Sequence, residues 1–378
     1  MLEGSRPRGA IIEDIEIKCP AEADSREYRV GRIFIETILN HAEASPENSG
    51  LSGKGGTMLK MAIITGFLSK TKDRFHEYNK PLDLDQKFEL MTEIEGYDGV
   101  EIVYPYEVSD PQDTRDLLDK YDLNIAAVNV NVKAEPEFRN GGLTSHNKEI
   151  RNKAVRFIKE AKDFAAQVGA DKVTCCPLGD GYEFSFQYDY ARTWKYLVET
   201  FAEAGSHRPE VPLFIEYKPS ETRGRCFVDT AAKALCLLND IGNKDMGVTL
   251  DFGHSMYGNE NPAEAFVLLS ESPYRAYIHI NDNDGRWDWD YFCGTKHFLE
   301  YVEFLYYLKK YGYNGYLTSD TSPTRWDIIG TFEVNSRISN RIWDLLGKID
   351  LAEFERLIAG ADYLKTWQFI EENLFSLK

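Results

Sequence analysis

From residue 59 onward the chain repeats one pattern: a short apolar run, a polar turn, then a stretch with apolar residues three and four apart. The apolar runs fall at 61–65, 99–104, 125–130, 172–176, 211–217, 246–250, 276–280 and 315–319. Runs this short, bounded by turn residues, read as buried parallel strands. The intervening stretches have helical spacing. The clearest, 148–168, places Ala154, Ile158, Ala161, Phe164 and Ala165 on one face, and 189–203, 230–238 and 297–311 follow the same rule. Eight strands alternating with helices predict an α/β chain closed into a (β/α)8 barrel. An open doubly wound sheet is disfavoured, because no glycine-rich dinucleotide turn follows the first run.

The rhythm sets the domain boundaries. The barrel is expected over 58–334. A C-terminal helical extension is expected over 335–378, with Trp343, Leu345, Phe354, Leu357 and Trp367 as an apolar stripe for packing or a subunit contact. Residues 1–57 lack the pattern and end in SGLSGKGGT before a second methionine, Met58. Lys54-Gly55-Gly56-Thr57-Met58 can be encoded by AAG-GGA-GGT-ACN-ATG, a ribosome-binding sequence just ahead of a start codon. The expectation is that the native protein begins at Met58 and that 1–57 is a leader. The alternative is a genuine appended segment, with short elements at 13–19 and 30–39.

Composition excludes several partners. A net charge of −18 argues against a nucleic-acid groove, which needs a basic stripe. No apolar run is long enough for a membrane span, and the N-terminus has no signal-peptide core. The six cysteines show no CxxC spacing, and adjacent Cys175 and Cys176 would point to opposite faces of a strand as core thiols. A cytoplasmic protein of a reducing compartment is expected.

The chemistry concentrates where the later strands end, the edge at which barrel enzymes place their sites. In VPLFIEYKPSETRGR, Glu216 and Lys218 are two apart and so point the same way. Taken alone, this is equally a solvated strand end carrying an ion pair. The next strands end in LDFGH (Asp251, His254), YIHINDNDGRWDWD (His279, Asp288, Asp290) and YLTSD (Asp320). Glu216, Asp251, His279 and Asp320 would ring one cation at a common mouth. Asp251, His254, Asp288 and Asp290 would hold a second, with Asp251 bridging. Oxygen-rich sets with one imidazole suit Mn²⁺, Mg²⁺ or Co²⁺ better than structural zinc. Two divalent cations would also explain how so many carboxylates share one cavity.

These residues carry a family resemblance. IEYKPSETRG resembles the EPKPNEPRG segment of xylose isomerases, and EYKP is similar to the matching strand of L-rhamnose isomerases. EFRNGGLTSHNKEIRNKA (137–154) resembles the loop and helix after their third strand. LDFGH stands in the place of their PExGH, and RWDWDYFCG in that of FDQDLVFG. By this resemblance the chain is identified as a member of the sugar isomerase/epimerase superfamily, with a xylose isomerase-like barrel. The resemblance implies that Glu216, Asp251, His279 and Asp320 form the first metal site. It implies that Asp251, His254, Asp288 and Asp290 form the second, and that Lys218 contacts the substrate carbonyl oxygen. Lys218, Asp290 and His254 are the expected catalytic residues, and Lys218, His76 and Trp287 the expected sugar contacts. The family's ring-opening His after the second strand is absent: Val103 or Tyr104 stands there, with Glu101, Tyr104 or His76 as possible substitutes. The family's Trp after the fourth strand is replaced around CCPLGDG.

The function so implied is an aldose–ketose sugar isomerase using a metal-assisted 1,2-hydride shift on an open-chain sugar. The alternatives are a ketose 3-epimerase or sugar-derivative lyase of the same superfamily, and a non-catalytic sugar-binding barrel. The expected partner is a small carbohydrate, and the expected assembly a homo-oligomer (dimer or tetramer).

Overall fold

The computed structural model describes residues 58–108, 110–221 and 223–375, so the expectations for 1–57 lie outside the described residues. Eight parallel strands close into a barrel: β1 (Met61–Ile64), β2 (Gly99–Tyr104), β3 (Asn124–Val130), β4 (Val173–Cys175), β5 (Leu213–Glu216), β6 (Gly247–Asp251), β7 (Arg275–Ile280) and β8 (Leu317–Ser319). Each strand pairs with its neighbours in sequence, and β8 returns to β1. All eight sequence-predicted strands are present, several trimmed by one or two residues at their ends. β5 loses most: it starts only after Pro212, whose ring nitrogen has no proton to give to a ladder.

Helices α1 (Leu84–Met91), α2 (Pro111–Tyr121), α3 (Lys148–Val168), α4 (Tyr190–Ser206), α5 (Ala231–Ile241), α6 (Phe252–Tyr257), α7 (Pro262–Ser270), α8 (Phe298–Lys310) and α9 (Ile328–Leu346) complete the barrel's repeat. In α3 the Asn147 side chain caps the first turn by accepting from the Glu149 N–H. Gly169 ends it at φ 82°, a left-handed position that glycine takes without strain. Between the caps Ala154, Ile158, Ala161, Phe164 and Ala165 are all buried, the face that the spacing predicts. Helix α9 runs unbroken across residue 335, where the sequence divides barrel from extension. Helices α10 (Leu351–Ala359) and α11 (Tyr363–Asn373) follow it. Phe354 and Leu357 of the apolar stripe are buried, Phe354 against Tyr306 of α8, whereas Trp367 is half exposed.

What positions the site is the two-residue period of the strands. Inside the barrel Ala127, Phe214 and Tyr277 pack together as an apolar plug, with Phe214 and Tyr277 edge-to-face at 6.2 Å. Thr249 bonds Thr174 at 2.7 Å across the same interior, and Thr318 bonds the Tyr277 hydroxyl at 2.5 Å. Two residues beyond each of these, on the same face and nearer the carboxyl end, come Asn129, Glu216, His279, Asp251, Cys176 and Asp320. The plug is therefore the floor on which the polar layer stands.

Phe214→Ala removes the largest side chain of that floor contributed by β5. The cavity left should cost about 3–5 kcal/mol, read as a lower denaturant midpoint. A midpoint unchanged within error would show that the plug does not support the barrel.

Candidate metal centre

Glu216 is the last residue of β5, and Lys218 lies two positions on with its N–H donated to the Val228 carbonyl at 3.1 Å. Both side chains are buried. Asp251 ends β6 and at once caps α6, its Oδ1 accepting from the His254 N–H at 2.8 Å. This strand-to-helix turn is why LDFGH brings Asp251 and His254 into one site. Its Gly253 is required by crowding: an added Cβ would lie 2.0 Å from Asn281 Oδ1. Asn281 in turn donates to Asp251 Oδ2 at 2.9 Å. After β7, Asp282 and Tyr291 exchange two backbone hydrogen bonds of 2.8 Å and pin the DNDGRWDWD loop at its base. Within it Trp289 turns outward and donates to Asp284, while Asp288 turns in onto Lys218 and half-buried Asp290 lies close enough to feel the Asp288, Asp320 and Lys218 charges. Asp290 holds a left-handed φ of 50°.

Glu216, Asp251, His279 and Asp320 offer ligand atoms all within 4.8 Å of one another. His279 Nδ1 faces Glu216 at 3.6 Å and Asp320 at 3.5 Å. His279 is wholly buried, and this nitrogen has no hydrogen-bond partner. A buried imidazole nitrogen left bare among three carboxylates fits a divalent cation. The second expected set is gathered less tightly. His254 Nε2 and Lys218 Nζ both sit on Asp288 Oδ2, at 3.1 and 2.8 Å, so an ammonium already neutralises that carboxylate. Asp251, His254, Asp288 and Asp290 are not drawn around one point as the first four are, although buried Asp288 Oδ1 remains unpartnered.

The charges follow from burial and proximity. Burial, with the charges of Asp320, Asp288 and Glu216, pushes Asp251 up to about 7 despite His254 beside it. Burial and the Asp288 and Asp320 charges push Asp290 well above the carboxylate range. Burial alone would favour neutral His254 and Lys218. For His254, Asp251 and Asp288 overcome it and raise the imidazole to about 9. For Lys218, Asp288 and Glu221 overcome it, and the ammonium is held well above its ordinary value.

The remaining expected residues fall elsewhere. Trp287 sits at the rim with its ring 6.1 Å from Tyr257, which bonds Ser220 at 2.6 Å. His76 is exposed in the loop after β1, facing Asp73 at 3.7 Å, and is not among the gathered residues. Glu101 is fully buried and both its oxygens are bonded, Oε1 to Asn129 and Oε2 to Tyr277. Cys176, expected as an ordinary core thiol, is buried within reach of Glu216 and His254. Sequence reasoning missed Asn281 altogether, although the acid–amide run INDND after β7 marks it. A cleft of about 540 Å³, walled by Trp289, Phe292 and Trp326, opens beside Asp290.

The molecule is thus a (β/α)8 barrel with a candidate cation site at the carboxyl ends of its strands. Residues 88–331 match the model of one family, described as "Xylose isomerase-like TIM barrel", and the chain belongs to that family. It is 23% identical over 204 residues to a xylose isomerase of Thermus thermophilus and 24% identical over 204 residues to that of Thermus caldophilus. These matches cover 52% of this chain and 53% of each relative, so the chain spans about half the length of the curated relatives it matches. A solved D-tagatose 3-epimerase-like protein superposes with a TM-score of 0.61 at 22% identity, covering 75% of this chain and 98% of that one. An L-ribulose 3-epimerase does so with a TM-score of 0.55 at 16% identity, covering 81% and 98%. These structures share the fold. Among the described residues, no helix is long and apolar enough to cross a membrane.

Asp251 and His254 both bind protons more tightly when folded than their ordinary values of 3.8 and 6.5 allow. The folded state therefore holds the extra protons, and stability from these groups falls as pH rises. For Asp251 the loss runs from about 4 to about 7, and for His254 up to about 9. The thermal midpoint of metal-free protein should drop between pH 5 and pH 9, with a shallower slope in Asp251→Asn. Mn²⁺ should raise the midpoint more at pH 8 than at pH 5.5, because the ion displaces protons. A Mn²⁺ increment that shrinks as pH rises would contradict this.

Proposed function

We propose that the chain is a divalent-metal-dependent enzyme that interconverts the aldose and ketose forms of an open-chain sugar. The observation that carries this reading is a buried ammonium, Lys218, fixed on Asp288 at 2.8 Å beside the gathered set of Glu216, Asp251, His279 and Asp320. Those four would hold a divalent cation, which when bound supplies Lewis-acid polarisation of sugar oxygens. Lys218 donates a hydrogen bond to the oxygen on which negative charge gathers as the carbonyl moves. Asp290, at the same mouth, is pushed toward its protonated form by burial and the Asp288 charge. His254, bonded to Asp288 at 3.1 Å, holds that carboxylate in place against the ammonium. In the aldose-to-ketose direction the C2–H bond breaks and the C1–H bond forms, the hydrogen carrying its electron pair. The C2 hydroxyl proton is lost and the C1 oxygen gains one, so no base has to face the carbon. A second cation on Asp251, His254, Asp288 and Asp290 would share Asp288 with Lys218 and so bind more weakly than the first.

A second reading, ketose 3-epimerisation, is supported by two observations. A single four-residue set is gathered around one point, and several of the similar solved structures are named for 3-epimerases or their likeness. Epimerisation by proton transfer needs a base on each side of one carbon. Only Glu216 and Asp320 could supply them here, and the shorter Asp320 reaches less far.

Turnover of an active sugar in D₂O separates the two. A hydride shift delivers the substrate's own hydrogen to C1 and incorporates no deuterium there, whereas deuterium at an inverted carbon would establish the epimerase. Lys218→Met should lower kcat about 10²–10³-fold, the usual cost of one transition-state donor, with the tighter Mn²⁺ affinity little changed. Asp290→Asn should also lose turnover while keeping its thermal midpoint. Full activity in both variants would leave the barrel's carbonyl chemistry unsupported.

A further inference from the structure

Glu101 lies on β2 and His279 on β7, separated in the barrel by β1 and β8. Their side chains meet across the interior, His279 Nε2 to Glu101 Oε2 at 3.0 Å, and both are wholly buried. The Glu101 carboxylate takes two further donors: Asn129 of β3 donates to its Oε1 at 2.8 Å, and the Tyr277 hydroxyl donates to its Oε2 at 2.6 Å. Tyr277 and His279 are two apart on one strand face, so Glu101 collects two donors from β7 alone. Nothing about this carboxylate is free to turn.

An imidazole has two nitrogens, and a hydrogen bond made by one decides what the other can do. A carboxylate only accepts, so Nε2 must carry the proton that it gives to Glu101. Nδ1 is then the nitrogen that can present a lone pair, and it is the one facing Glu216 and Asp320 without a partner. We infer that Glu101 is a positioning residue for the metal centre, fixing the tautomer and ring orientation of His279 so that Nδ1 meets the cation. The inference rests on the reading of Glu216, Asp251, His279 and Asp320 as one cation site. It gives Glu101 a role distinct from the ring-opening substitute that the sequence left open. Carboxylates placed behind a ligating histidine are typically worth 10–100-fold in metal affinity.

The test is calorimetric titration of Mn²⁺ into the full chain and its Glu101→Gln and Glu216→Gln variants. The visible spectrum of each Co²⁺-loaded protein reports on the ligand field. Glu101→Gln is expected to stay folded, to weaken Mn²⁺ about 10–100-fold and to shift the Co²⁺ bands. A variant that binds Mn²⁺ as tightly as wild type with an unchanged Co²⁺ spectrum overturns the inference. Glu216→Gln, which removes a ligand, should abolish the tight event. Wild-type protein that binds no divalent ion would instead overturn the cation site itself, and the inference with it. Should Glu101→Gln fail to fold, nitrogen-15 shifts of His279 in Mg²⁺-loaded wild type decide the matter. A protonated Nε2 supports the inference, and a protonated Nδ1 overturns it.

Discussion

The structure depends on one electrostatic constraint: several carboxylates are driven into a single mouth with little water to screen them. Charges a few ångströms apart repel far more strongly there than at the surface. The chain answers with what it has. Asp251 and Asp290 are shifted toward their neutral forms, and Asp288 is held ionised, against burial, by His254 and Lys218. That solution leaves His279 Nδ1 bare among Glu216, Asp251 and Asp320. A divalent cation satisfies the same groups at once, which protons and one ammonium do not.

The barrel makes this crowding affordable by separating floor from rim. Phe214 and Tyr277 fill the interior and so exclude water beneath the polar layer. The two-residue period then lifts Glu216 and His279 to the mouth from the same strands. The loop after β7 adds Asp288 and Asp290 from the side, fixed by the Asp282–Tyr291 bridge at its base. Precision comes from strands and from one pinned loop, while the exposed loop carrying His76 contributes none of the gathered groups.

Much of this was legible in the residues. The eight strands were readable because parallel strands buried on both faces are short apolar runs, and closure was favoured over an open sheet because no glycine-rich turn follows the first run. The four candidate ligands of the first cation could be named because each sits where such a run stops. What the sequence could not convey is contact across the lumen. Glu101 is one acid in an apolar strand, and nothing local says that its partner is His279, 178 residues away. The sequence left it as one candidate substitute for the missing ring-opening His, beside Tyr104 and His76, or as an ordinary packing residue. The looser gathering of Asp251, His254, Asp288 and Asp290 was equally hidden, since it depends on Lys218 reaching Asp288.

The chain belongs to the xylose isomerase-like family, and its mouth gathers Glu216, Asp251, His279 and Asp320 as a candidate cation site beside the Lys218 ammonium. Anomalous diffraction from crystals soaked in Mn²⁺, recorded on both sides of the manganese edge, tests that claim most directly. The account predicts a peak at coordination distance from Glu216, Asp251, His279 Nδ1 and Asp320. A map with no manganese among those four residues, at saturating ion and neutral pH, would contradict it.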